Sequence, residues 1–430
     1  MIDIEGEHTT ARVFLEADQL GESAHEQLQT LVDHPAFQNS VRVMSDAHWG
    51  KGSVIGFTMA LGDRVVPNTI GVDIGCGLFA VNIGSDISLS GTELDEAIRS
   101  RVPMGSSVRS NSEYSITEFP WDRATETVER FEQRYGREIA FDGYDTEYFT
   151  DLCRRVGVSE KRAINSIGTL GGGNHFIEFG RSERTGDLWL VVHSGSRGLG
   201  YNTANYWQER ATEHMDTRGV DVEAEIERIR EEYDGEEIGR RIDELNERLT
   251  DRDRNETLDY LEGEEAHGYF IDMIFAQQYA SENRREMARE ICSLLGTEPN
   301  DEIESVHNYI DFRDLVIRKG ATRAYEDERI IVPFNMRDGT LICEGKSNPE
   351  WNFSAPHGAG RVMSRRKAFR ELDLDTFREQ MSDIFSTSVN GETLDEAPQA
   401  YKNAALIEQA IEPTARIVDR LEVVHNIKAS

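Results

Sequence analysis

SVIGFTMALGDRVVPNTIGVDIGCGLFAVNIG, residues 53–84, alternates short apolar runs with glycine-centred breaks. Runs of this length, rich in Val, Ile and Phe, read as short strands joined by tight turns. GTLGGGNHFIEFGRSERTGDLWLVVHSGSRGLG, residues 168–200, repeats the pattern. Helical spacing lies elsewhere. Residues 220–250 read as charged helix interrupted at Gly235, a solvent-facing excursion placed at about 219–263. Residues 264–296 carry apolar side chains at helical spacing over about eight turns, with Gly296 as C-cap. Strand character returns in RIIVPFNM (329–336) and GTLICEG (339–345), and ALIEQAIEPTARIVDRLEVV (405–424) is predicted to close the chain with helix broken near Pro413. The predicted class is α+β: one domain over 1–430, with mixed, largely antiparallel sheets flanked by helices.

A chain of 430 residues can bury a large core, and its 38% hydrophobic content is spread along the whole length. There is no apolar run of about 18 residues, and MIDIEGEHTT has no basic stretch followed by an apolar one. A cytoplasmic protein without membrane association is expected. Cys76, Cys153, Cys292 and Cys343 form no CxxC pair, which argues against a disulfide framework or a local zinc finger. The net charge of −33 would ordinarily oppose binding to a phosphate backbone. Proteins adapted to concentrated salt are the exception, because screening there shrinks the Debye length to about 3 Å. The charge is therefore read as halophilic, and local basic clusters bear on function instead.

Asp73 and Cys76 in GVDIGCG are compatible with a metal half-site, a reactive thiol or a plain tight turn. Five histidines share the glycine-, serine- or asparagine-rich setting: His48, His175, His193, His307 and His357. At strand ends beside such residues, backbone can approach a ligand closely. Thiolate, imidazole and carboxylate together suit divalent ions such as zinc or manganese. The donors lie more than 200 residues apart in sequence, so only the fold could assemble them.

SDAHWGKG, GVDIGCG, GGGNHFIE, HSGSRG, VHNY, RKGATRA, PHGAGRVMSR and the terminal lysine region occur in this order from residue 45 to residue 428. Together they resemble the RtcB family of RNA-splicing ligases over nearly the whole chain. VPFNMRDG (332–339) departs from the family's usual Gly-Ser-Met-Gly turn, putting Asn335 where a nucleotide-contacting serine is common and marking a divergent branch.

The resemblance implies two Mn²⁺ ions, one held by Asp73, Cys76 and His175, the other by Cys76, His193 and His307. It implies GTP as cofactor and His357 as the nucleophile that takes up GMP. Contacts to the nucleotide are implied for Asn174, His175, Glu178, Asn308, Asn335, Thr340, His357, Gly358, Ala359, Gly360, Tyr401 and Lys428, with Glu178 at the guanine edge. Arg197, Lys319, Arg323 and Arg361 are the expected RNA contacts, with Arg318, Arg365, Arg366 and Lys367 in the same basic clusters. The implied reaction joins RNA 3′-phosphate or 2′,3′-cyclic phosphate ends to 5′-hydroxyl ends, as in tRNA splicing or RNA repair. A monomer is expected, with archease as the family's activating partner. The competing readings are a metal-dependent phosphodiesterase or nuclease, a guanylyltransferase that caps 3′-phosphate ends without joining them, and a non-catalytic RNA-binding protein.

Overall fold

A computed structural model describes residues 1–16, 19–84, 89–217, 222–249 and 254–429. The fold is α+β and built on two large sheets. In the six-stranded sheet the order is Ile2–Glu5, Thr10–Val13, Val41–His48, Ile55–Ala60, Val316–Lys319, Asn308–Asp311. Its one parallel pairing joins Thr10–Val13 to Val41–His48. The seven-stranded sheet runs Asp301–Val306, Gly77–Gly84, Leu188–Ser194, Phe176–Ser182, Ala415–Ile427, Thr340–Gly345, Arg329–Pro333, antiparallel throughout. Its outer strands approach each other: Ile331 N–H donates to Ser305 Oγ at 2.8 Å and Arg329 pairs with Asp301. The sheet thus curls toward closure, which protects its edges.

At His307 the chain passes directly from one sheet to the other. Strand Asp301–Val306 belongs to one and Asn308–Asp311 to the other, with His307 at the kink between them. The registers then decide what meets there. Gly77 lies opposite both Ser194 and Val306, and His193 opposite both Leu78 and Phe176. Cys76, His175, His193 and His307 are therefore gathered at one end of the seven-stranded sheet by strand pairing alone.

Helix Gly263–Leu295 packs behind that end and stops at Gly296, whose φ of +66° is the left-handed cap the sequence predicts. The excursion is two helices, Val222–Glu232 and Glu236–Leu249, separated at Gly235 (φ +60°). They bury Ile229 and Leu245 against each other in a small apolar cluster of their own. Of the rest of the predicted excursion, 219–221 and 250–253 lie outside the described residues, and Leu261–Glu262 is already a short strand paired with Arg64–Val65.

The C-terminal expectation needs correction. Helix Ala404–Ile411 ends before Pro413, but Ala415–Ile427 is a strand of 13 residues in the middle of the seven-stranded sheet. ARIVDRLEVVHNI is rich in β-branched residues, and flanking partners on both sides outweigh any helical periodicity. This strand delivers Lys428 to the site described next. No helix among the described residues is long and apolar enough to cross a membrane.

Candidate metal and nucleotide site

Two overlapping groups of metal-ligating side chains meet at the sheet junction: Asp73, Cys76 and His175, and Cys76, His193 and His307. Within each group the ligand atoms all lie within 4.8 Å of one another. Cys76 Sγ is 3.5 Å from His175 Nε2 and 3.3 Å from His193 Nε2, and the Nε2 atoms of His193 and His307 are 3.3 Å apart.

The donor chemistry fits a divalent cation. His175 Nδ1 donates to the Leu170 carbonyl at 2.9 Å, which leaves an Nε2 lone pair facing Asp73 Oδ2, also at 2.9 Å. Two electron-rich atoms at that distance call for a positive charge between or upon them. Burial holds the pKa of His193 and His307 well below the ordinary imidazole value, so both rings are neutral and have lone pairs to give. Burial, then the adjacent Asp73, push the Cys76 thiol well above its ordinary value. A dication reverses that by deprotonating a coordinating thiol.

The support behind these ligands is polar and buried. Arg284 of the long helix is fully buried and donates to the carbonyls of Gly75 (2.6 Å) and Ser194 (2.9 Å). Asn283 donates to Gly195 O and Ser194 Oγ and accepts from the N–H groups of Gly168 and Thr169. A side chain at Gly195 would overlap the Asp73 carboxylate.

His357 borders the same space, its ring 4.7 Å from that of His307. Its Nδ1 is 2.6 Å from Asp46 Oδ2, and its backbone N–H donates to the same oxygen at 3.2 Å. Asp46 is fully buried, so this contact fixes the ring and leaves Nε2 as the free nitrogen. Gly360, at φ +71°, lets the chain pass close to the Asp46 backbone where a Cβ would collide.

A cavity of about 340 Å³ joins these groups to a polar far end. Glu178 Oε1 accepts from Thr340 Oγ1 and Oε2 from Asn426 Nδ2, each at 2.9 Å. Burial raises the Glu178 carboxyl to about 7, against the opposing pull of Thr340, Asn426 and Lys428. Lys428 Nζ donates to Glu396 at 2.7 Å and to the Asn174 carbonyl at 3.3 Å. Glu396 also accepts from Tyr401 Oη and from Arg361 and Arg365. Burial would raise its pKa, but Lys428 and Arg365 hold it down at about 2.

Of the residues expected at the nucleotide, Asn174, Glu178, Asn308, Asn335, His357, Gly358, Ala359, Gly360, Tyr401 and Lys428 line this cavity. Thr340 stands behind Glu178, and His175 sits among the metal-ligating groups. Asn335 Oδ1 accepts from the N–H groups of Arg337 and Asp338, and its amide donates to Asp338. Its side chain is thus engaged within its own turn.

The basic residues divide. Arg361 lines the cavity and stacks over Tyr401, 5.0 Å from the ring centre. Arg365 lines it too, whereas Arg366 is exposed and Lys367 lies near Glu371. Arg197 donates to Gly105 O and Thr169 Oγ1 behind the ligand loops. Lys319 is buried, its ammonium held by the carbonyls of Lys51, Ser53 and Asn68. Burial lowers its pKa to about 7. Arg323 is paired with Asp311, Asp314 and Glu328, and Arg318 with Asp311, neither lining the cavity.

Sequence reasoning missed Asp46, Asn283, Arg284, Glu396 and Asn426. Asp46 had a signal, standing inside SDAHWGKG. The others sit in ordinary helix, turn or strand contexts.

Comparison with known proteins agrees with this geometry. The family model described as tRNA-splicing ligase RtcB matches residues 27–429. The RNA-splicing ligase RtcB of Escherichia coli (strain K12) is 28% identical, with 97% of this chain and 96% of that protein covered. The tRNA-splicing ligase RtcB of Archaeoglobus fulgidus is 27% identical, covering 89% of this chain and 86% of that one. A match spanning the metal-ligating cluster, His357 and Lys428 alike places the chain in the RtcB family of tRNA-splicing ligases.

Proposed function

We propose that this chain is an RNA ligase that uses GTP and Mn²⁺ to join RNA 3′-phosphate or 2′,3′-cyclic phosphate ends to 5′-hydroxyl ends. The observation that carries the reading is His357, held through Nδ1 by buried Asp46 beside the two overlapping metal-ligating groups. Cys76, shared by both groups, would bridge two ions, with Asp73 and His175 on one and His193 and His307 on the other. Divalent ions there supply positive charge that neutralises phosphoryl oxygens.

In this scheme the Nε2 lone pair of His357 attacks the α-phosphorus of GTP. The bond to the β-phosphate breaks and pyrophosphate leaves, with GMP on Nε2. Asp46 keeps the proton on Nδ1 and offsets the charge that the ring gains. A 2′,3′-cyclic phosphate is first opened by water to a 3′-phosphate, with the 2′-oxygen leaving as a hydroxyl; an oxygen of the RNA 3′-phosphate then takes GMP from His357, and attack by the 5′-hydroxyl on the activated 3′-phosphate releases GMP. A monomer acting with an archease-type activator completes the proposal. With α-labelled GTP and Mn²⁺, label should stay on the denatured protein in an acid-labile, base-stable bond. A phosphodiesterase would retain none, and a 3′-end guanylyltransferase would load GMP yet join no ends.

Glu178 is assigned to the guanine edge, where a carboxylate accepts from two N–H donors. Only the ionised form can do so. With its pKa raised to about 7, it is mostly ionised at pH 8 and mostly protonated at pH 6. The preference for GTP over ATP should therefore fall about tenfold between these pH values, and Glu178→Gln should remove this dependence and cost GTP about one to two decades of affinity while sparing metal uptake. Competition binding of the two nucleotides across pH checks both. An unaltered preference in Glu178→Gln would mean that guanine is read elsewhere.

The net charge of −33 adds a condition on RNA joining. Repulsion between an acidic surface and RNA weakens as salt screens it. Joining should therefore rise several-fold from low to molar salt. A rate that only falls with salt, as counterion release alone dictates, would argue against the halophilic reading.

A further inference from the structure

Beside the nucleotide cavity runs a second groove, of about 940 Å³, and the two share His48, Trp49, Arg361 and Arg365 on their common wall. Its volume lies in the range in which proteins hold organic ligands, about 300–1,000 Å³. Trp49 dominates the rim. Its side chain is 58% exposed, whereas Trp189, Trp207 and Trp351 are all buried. Among the described residues it stacks on no other ring and carries no cation over its face. Facing the groove, the exposed indole offers a large flat apolar face that a ligand can cover.

The backbone beneath that indole is clamped. Gln27 brackets Gly50, donating to its carbonyl at 2.6 Å and accepting from its N–H at 3.4 Å. From the other side Lys402 donates to the carbonyls of Ser45 and Ala47, at 2.9 and 3.1 Å. A rigid loop thus presents a free aromatic face. The groove is also cationic: Lys402 lines it, and its ammonium is bonded to carbonyl groups rather than neutralised by a carboxylate salt bridge among the described residues. Arg361, paired with Glu396, and Arg365, paired with Asp395 and Glu396, stand where the groove opens into the cavity that contains His357. Exposed Val362 adds apolar surface on the same wall.

A flat aromatic face beside cationic groups, continuous with a phosphoryl-transfer cavity, matches a nucleoside whose phosphate reaches into that cavity. We propose that this groove holds a terminal nucleoside of the RNA substrate, its base stacked on Trp49 and its phosphate directed past Arg361 and Arg365 toward His357. The proposal rests on the ligase reading for the identity of the strand. It assigns to Trp49 the task of gripping an RNA end irrespective of its base, since every base has a stacking face.

The test uses the full-length protein in high salt and two short labelled single-stranded RNAs, one ending in a 3′-phosphate and one beginning with a 5′-hydroxyl. Equilibrium binding is read by anisotropy for wild type, Trp49→Ala and Trp49→Phe, with the thermal midpoint showing that each variant is folded. Trp49→Ala should weaken the 3′-phosphate RNA roughly tenfold or more, and a loss confined to the 5′-hydroxyl RNA would overturn the placement of the phosphate. Trp49→Phe should recover most of the loss. Wild-type indole emission should be quenched by the same RNA, and this quenching should vanish in both variants. Equal binding of both RNAs by wild type and Trp49→Ala would overturn the proposal and leave Trp49 as a protein-docking residue; so would an equal loss in Trp49→Phe. Absence of GMP labelling in wild type would instead count against the ligase reading, and that outcome is separate because binding is measured without GTP.

Discussion

Cys76→Ala is expected to abolish Mn²⁺ retention and GTP-dependent labelling together. Cys76 is the one side chain common to both metal-ligating groups, so its removal leaves each of them a ligand short. The pair would also lose the anionic sulfur that screens two like charges from each other, so loss should be co-operative rather than by halves. The other cysteines are controls. Cys153, Cys292 and Cys343 lie in apolar clusters, and burial pushes their thiols to about 12, 11 and 12. Alanine at these positions should cost some stability but leave metal content and labelling near wild type. Metal analysis after gel filtration, paired with labelled GTP, reads both quantities on one sample. A folded Cys76→Ala protein that keeps both ions would end the bridging-thiolate scheme.

The contrast between Cys76 and the other cysteines was legible in the sequence because glycines flank only Cys76 closely, and strand-end glycines mark places where backbone makes room for ligands. Glycine-rich settings likewise exposed His175, His193 and His357, and the serine- and asparagine-containing SVHNY exposed His307. The sequence could not expose Glu396, which sits in the unremarkable GETLDEAP and gains its meaning from Lys428, Tyr401, Arg361 and Arg365 arriving from other elements. Nor could it show that Arg284 turns inward: in a helix such as RREMAREICSLL (284–295), arginines normally face water, and only the packing of this helix against Gly75 and Ser194 buries this one. Basic residues were hardest to sort. Arg323 and Arg361 both stand in glycine-containing motifs, yet Arg323 is consumed by Asp311, Asp314 and Glu328 away from the cavity, while Arg361, though paired with Glu396, lines it. In a chain with 80 acidic residues, a local sequence does not reveal which cations are already paired. The final strand escaped for a related reason, since its neighbours, Phe176–Ser182 and Thr340–Gly345, are remote in sequence.

His357→Ala is expected to leave no label on the protein, because no other imidazole lining the cavity has its Nδ1 held by a buried carboxylate that offsets the charge gained at Nε2. His193 and His307 turn their Nε2 atoms toward Cys76 and each other, and His175 turns its own toward Asp73. His48 is half-buried, desolvation lowers its pKa to about 4, and its Nδ1 meets only the uncharged Asp46 carbonyl. The companion variant Asp46→Asn separates orientation from charge. The His357 backbone N–H and Nδ1 share one Asp46 oxygen, so an amide oxygen can occupy the same place and preserve the ring's orientation. What disappears is the buried negative charge that offsets the positive charge arising on the ring when Nε2 is phosphorylated. Losing one charge-assisted hydrogen bond of about 1.5–3 kcal/mol slows that step by about one to two decades. The new amide nitrogen would also replace Oδ1, which has no partner in its buried position, so some stability should be lost as well. Pre-steady-state labelling with GTP and Mn²⁺ should thus show Asp46→Asn slow but complete, with nucleotide affinity little changed, and His357→Ala blank at any time. Labelling of His357→Ala at the wild-type rate would move the nucleophile to another residue, and a wild-type rate in Asp46→Asn would reduce Asp46 to a purely structural anchor.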